Sequence, residues 1–64
     1  MIPGKVTTFV DIAEGPRVLL LAGEMATVVA KVERPLDTYH HYTKILRDNG
    51  EIHEIPTRFL AYVN

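Results

Sequence analysis

Apolar and polar positions alternate over short segments of this chain, and the segments are separated by glycine and proline. From Lys5 to Val10, Val6, Thr8 and Val10 share one face of an extended strand, with Thr7 and Phe9 on the other. Asp11 to Pro16 reads as a loop. Arg17 to Leu21 is apolar on both faces, as in a strand buried in a core or an interface. Met25 to Glu33 carries two patterns. Met25, Val28, Val29 and Val32 fall at helical spacing. Ala26, Val28, Ala30 and Val32 fall at strand spacing, opposite Thr27, Lys31 and Glu33, with Val29 the exception. Three valines and a threonine favour the strand, because β-branched side chains are restricted in helices.

Pro35 fixes a loop over Arg34 to Thr38, and Tyr39 to Arg47 is the next strand. Asp48-Asn49-Gly50 then turns the chain, since Asn-Gly supplies the positive φ angles of a tight hairpin. A two-residue Asn49-Gly50 turn would set Asp48 opposite Glu51 and Leu46 opposite His53. The strand returns from Glu51 to Ile55, and Pro56, with no N–H to donate, ends the ladder. Thr57 to Leu60 reads as one helical turn with Thr57 as its cap. Ala61 to Val63 closes as a short strand. Short strands with turn signals about every ten residues predict an all-β barrel or sandwich.

Length changes this picture first. A chain of 64 residues is one domain, and a domain of this size buries only about 60% of the surface of its unfolded chain. With no cysteine, neither disulfides nor thiolate metal sites add to its stability, so self-association is expected. A hydrophobic content of 47% is that of a globular domain. Seven Lys+Arg against eight Asp+Glu give a formal charge of −1, which argues against general nucleic-acid affinity but leaves room for a local patch. The longest strongly apolar run, Val18 to Ala22, is far short of the roughly 20 residues that span a bilayer. The start, MIPGKVTTF, lacks the basic and apolar regions of a signal peptide. A cytoplasmic location is expected, with no membrane partner.

The run from Gly15 to the C-terminus resembles the SH3-like small barrel. "GPRVLLL" leads to the long bent strand "AGEMATVVAKVE", a variable loop and a hairpin, and "IPTRFL" then matches the strand, proline and single turn that precede the last strand. The spacing Ile55-Pro56-x-x-Phe59-Leu60 is the most specific part. The resemblance implies a five- to six-stranded barrel over residues 15–64, with residues 1–14 adding an extra strand and loop. "YTKILRDNGEIHEIPTRFLAYV" also resembles small bacteriophage and bacterial proteins, which would place the chain in a host cytoplasm. The chain has no Trp and no ALYDY-type stretch, so the aromatic groove with which signalling SH3 domains hold proline-rich peptides is not expected. The type II dihydrofolate reductases are SH3-like barrels active as tetramers, and their "VQIYP" strand is similar to "IHEIP" here. His53, Glu54 and Ile55 replace the Gln-Ile-Tyr triplet, so no reductase residue is carried over.

Four sets of residues bear on function. His40, His41 and His53 could hold zinc or copper, but strand neighbours point to opposite faces, so no metal and no other cofactor is expected. Glu51, His53 and Glu54 could serve acid–base catalysis. Glu54 faces away from the other two, and the chain has no Ser or Cys nucleophile. The expectation is therefore a protein without catalytic residues. Tyr39, Tyr42, Lys44, Arg47 and Arg58 form a candidate nucleic-acid surface, less favoured because carboxylates are interleaved with the cations. Val18, Leu19, Leu20 and Leu21 with Phe9 form a candidate protein interface. The leading expectation is a non-enzymatic interaction or assembly module that self-associates.

Overall fold

The computed structural model describes residues 4–63; Met1–Pro3, which open the expected N-terminal segment, lie outside the described residues. The fold is all-β. Its strands are β1 (Lys5–Thr7), β2 (Ile12–Glu14), β3 (Arg17–Leu20), β4 (Ala26–Glu33), β5 (His41–Arg47), β6 (Ile52–Pro56) and β7 (Ala61–Val63), with a 3₁₀ turn, Thr57–Phe59, before β7. One antiparallel sheet has the order β6-β5-β4-β1-β7, and β2 and β3 form a separate hairpin. β6 and β7 are the edges of the five-stranded sheet, which does not close on itself.

The N-terminal segment is part of this sheet. β1 pairs with β4 on one side and β7 on the other, and Val6 is fully buried. The strand expected over Lys5–Val10 ends at Thr7. The hydroxyl of buried Thr8 donates to the carbonyls of Val10 and Phe59 at 3.0 and 3.1 Å, and its side chain thus holds a corner there. The loop expected over Asp11–Pro16 contains β2, which was too short to show a period. Gly15, at φ 62°, opens the two-residue connection that pairs Glu14 with Arg17.

β4 is a strand, and Val29 explains why its pattern was mixed. The pairing with β5 shifts between Val28 and Ala30, leaving Val29 as an exposed bulge. Ala26 and Val28 precede the bulge and face the core, whereas Ala30 and Val32 follow it on the opposite face. Lys31 therefore lies opposite buried Thr43, on the inner side of the sheet.

The β5–β6 hairpin also departs from expectation. Its loop has three residues, Asp48-Asn49-Gly50. The Gly50 amide donates to the Arg47 carbonyl at 3.0 Å, the Arg47 amide donates to the Glu51 carbonyl at 2.8 Å, and Gly50 takes φ 92°. This is the three-residue hairpin in which a type I turn is followed by a left-handed glycine. Leu46 consequently faces Ile52, and Ile45 faces His53. A slip of one residue changes the cross-strand partner of every side chain in the hairpin. Thr57 is not a side-chain cap; Pro56 holds that position, and the Thr57 hydroxyl lies 2.8 Å from that of Thr43.

The core comprises Val6, Leu19, Leu20, Ala26, Val28, Ile45 and Ile55, with Ile12 and Leu60 packed against it. None of the chain's five aromatic residues belongs to it. Among the described residues no helix is long and apolar enough to cross a membrane.

Candidate functional site

The Glu51–His53 pair lies inside a larger network that closes one side of the core. The two share a face of the chain, and Ile45, Ile55 and His53 turn inward together, so the ring of His53 is only 7% exposed. Its Nε2 stands 3.1 Å from Glu51 Oε1. Glu51 Oε1 also accepts from Arg47 Nη1 at 2.8 Å. Arg47 then donates through Nε and Nη2 to the two oxygens of Glu24, at 2.8 and 2.9 Å, a bidentate pair, and through Nη1 to the Val18 carbonyl at 3.2 Å. Glu24 Oε1 accepts from the Leu21 amide as well, at 3.1 Å. Hydrogen bonds, foremost that from Arg47 and then that from the Leu21 amide, hold the Glu24 carboxyl below its ordinary value. At Glu51 the hydrogen bond with His53 is the main cause of the same lowering, followed by Arg47. The guanidinium side chain is only 10% exposed.

Among the described residues no buried side-chain nitrogen or oxygen lacks a partner, and the hydrogen bonds of this cluster fasten β3, the β3–β4 turn, β5 and β6. The arrangement ties strands together, with the imidazole buried among them. Glu54 points the other way and pairs with Arg34. Arg47, counted above among candidate nucleic-acid residues, is therefore taken up by two carboxylates and lies apart from that surface. Lys44 lies on the outer face of the sheet, between Ala30 and Glu54.

A second assembly gathers most of the aromatic residues. The Arg34 amide donates to the His40 carbonyl at 2.8 Å and closes the β4–β5 connection. Tyr39 and His40 thus belong to that loop rather than to β5. Tyr39 meets Phe59 of the 3₁₀ turn edge to face, with centroids 5.1 Å apart. Arg58 lies over the Tyr39 ring at 5.7 Å, Arg34 over Tyr42 at 4.6 Å and Lys31 over Tyr62 at 4.7 Å. The Lys31 ammonium lowers the Tyr62 phenol below its ordinary value. Thr38, Tyr39, His40, His41, Thr57 and Arg58 bound an open depression of about 550 Å³. A second, of about 230 Å³, shares His41 and Thr57 with it and adds Lys31 and Tyr42. His41 also stands 3.8 Å from Glu33. Among the described residues no three histidine or carboxylate side chains converge as metal ligands.

The third feature is apolar. The Gly23 amide donates to the Thr8 carbonyl at 2.8 Å and sets the corner after β1 beside the turn after β3. Ala22 reinforces this by donating to Asp11 Oδ1 at 2.8 Å. Phe9, Val10 and Leu21 stand exposed on these two segments, at 84%, 64% and 46%. Of the residues expected at an interface, Phe9, Val18 and Leu21 are exposed, whereas Leu19 and Leu20 are spent in the core. Val10 was not singled out in the sequence because alternation assigned it to the same face as buried Val6.

Comparison with family models, with curated proteins and with solved structures gives no match. The functional reading rests on the chemistry of these surfaces.

Proposed function

We propose that this chain is a small SH3-like barrel that works by binding rather than catalysis, as a protein-interaction module that associates with further copies of itself. The barrel reading draws on strand order. β4, β5 and β6 form a meander, the 3₁₀ turn follows directly, and β7 returns beside β1. The Thr43–Thr57 and Thr8–Phe59 hydrogen bonds tie the 3₁₀ turn to β5 and to the corner after β1, the neighbours of the two edge strands that would have to approach for the barrel to close.

The observation that carries the functional reading is the exposed corner of Phe9, Val10 and Leu21. A phenylalanine at 84% exposure gives this domain no packing energy, although burial of such a side chain is worth about 1.5–3 kcal/mol. An interface between copies would recover that term. A stable interface takes about 800 Å² from each partner, a modest share of the 4505 Å² surface. Phe9 would be its central anchor, with Val10, Leu21 and Val18 around it. The reading is tested by sedimentation equilibrium over a wide concentration range. Mass rising above 7.2 kDa with concentration supports it, and a mass fixed at 7.2 kDa refutes self-association.

A further inference from the structure

We propose that the depression between the β4–β5 connection and the 3₁₀ turn binds a nucleotide unit, a planar base together with its phosphate. This goes beyond the interaction reading above and does not depend on the Phe9 corner. Size is the first argument. At about 550 Å³ the depression falls within the roughly 300–1,000 Å³ of small-ligand sites.

Preorganisation is the second. Tyr39 is already held edge to face by Phe59, so a base stacking on it would find an ordered ring. Such stacking tolerates any base, because every base has a π face.

The third argument is charge. Arg34 is matched by Asp37 and Glu54, and Arg47 by Glu24 and Glu51. Arg58 and Lys31, by contrast, face aromatic rings and make no ion pair among the described residues. A phosphate would reach the Arg58 guanidinium in a depression that Thr38 and Thr57 also line, the Thr57 hydroxyl being already paired with that of Thr43. Glu33 is the one carboxylate lining either depression, and His41 stands against it. The smaller depression leads past His41 and Thr57 towards Lys31, where the next phosphate of a strand would sit. A free nucleotide and a single strand share this chemistry. The strand would use both cations and the nucleotide only Arg58.

The test is fluorescence anisotropy of the full chain with a labelled oligothymidylate at low salt, with adenosine monophosphate as competitor. Binding is expected, with log K falling against log salt at a slope of about −1.4, for two phosphates on a single strand. Arg58→Gln and Tyr39→Leu should each weaken it at least about tenfold, the loss of one stacked or charge-assisted contact. Arg17→Gln, on the β2–β3 hairpin, should leave it unchanged. Competition by the mononucleotide at comparable concentration assigns a free nucleotide, and failure to compete while the oligomer binds assigns a strand. Circular dichroism establishes that each variant is folded. No anisotropy change for the wild-type chain overturns the proposal. So does an equal loss in Arg17→Gln, which would mean non-specific charge, and so does displacement of the oligomer only by a phosphotyrosine peptide.

Discussion

The interior and the surface of this domain divide the large side chains unequally. The core is built from valine, leucine, isoleucine and alanine, closed on one side by the Arg47 network. All five aromatic residues lie outside it. Aromatic rings offer the largest area per side chain for packing, and a 64-residue domain has little stability to spare. A chain that leaves them outside gives up stability that its own core could have held. What those rings gain instead is contact with cations, with each other and, on the account above, with ligands and further copies. The two regions also treat charge differently. Arg47 is surrounded by carboxylates and backbone carbonyl within the chain, whereas Arg58 and Lys31 rest on rings and keep their charge uncompensated.

If the core carries the fold, a core truncation must cost far more than any change among the aromatics. Ile45→Ala removes part of a fully buried side chain, at about 2–5 kcal/mol. A domain of this length has a total stability of about 3–10 kcal/mol, so urea unfolding followed by circular dichroism should show the variant largely unfolded or nearly so. Arg47→Met is expected next, with a smaller but measurable loss, because it strips the charge-assisted partners from Glu24 and Glu51 and leaves two carboxylates near each other. A change under about 0.5 kcal/mol would place Arg47 with ordinary surface cations and erase the contrast with Arg58.

Acid sharpens the same contrast. Glu24 and Glu51 have folded-state pKa values below the ordinary 4.5. Their contribution to stability is therefore complete above 4.5, and it is lost as pH falls through the lowered values. The urea midpoint of the wild-type chain should hold steady in this respect from neutral pH down to about 5 and drop below 4.5. In Arg47→Met the drop should shrink, since the lowered values depend in part on Arg47. Identical acid profiles for the two proteins would show that other carboxylates carry the effect.

Most of the strands could be read from the sequence, because alternation and turn residues act locally. β5, β6 and β7 follow from the Asn49-Gly50 signal, from Pro56 and from apolar spacing. The register of their hairpin could not be read. Asn-Gly suits both a two-residue and a three-residue loop, and only the placement of Gly50 at φ 92° selects the latter. That choice decides that His53 faces Ile45. The bulge at Val29 had left a trace, the one valine out of phase, but a break in period does not say which half of a strand keeps the core. The Glu24–Arg47 pair spans 23 positions and has no local signature. Leu19 and Leu20 read as an interface because two adjacent leucines must face opposite sides of a strand; in the short β3, beside an irregular β2, both find the core. The aromatic surface was visible in part as Tyr39, Tyr42 and Arg58. The bulge turns Lys31 to the inner side, over Tyr62.

The central claim is that the exposed aromatics serve binding and not folding, and Phe9 tests it most directly. Sedimentation equilibrium of Phe9→Ser beside the wild-type chain, with urea unfolding at a concentration where both are monomeric, separates the two roles. The account predicts unfolding midpoints equivalent to within about 0.5 kcal/mol, as for a surface position, and a mass that stays at 7.2 kDa for the variant while the wild-type mass rises with concentration. A variant that associates like the wild type, or one that loses several kcal/mol of monomer stability, would contradict it.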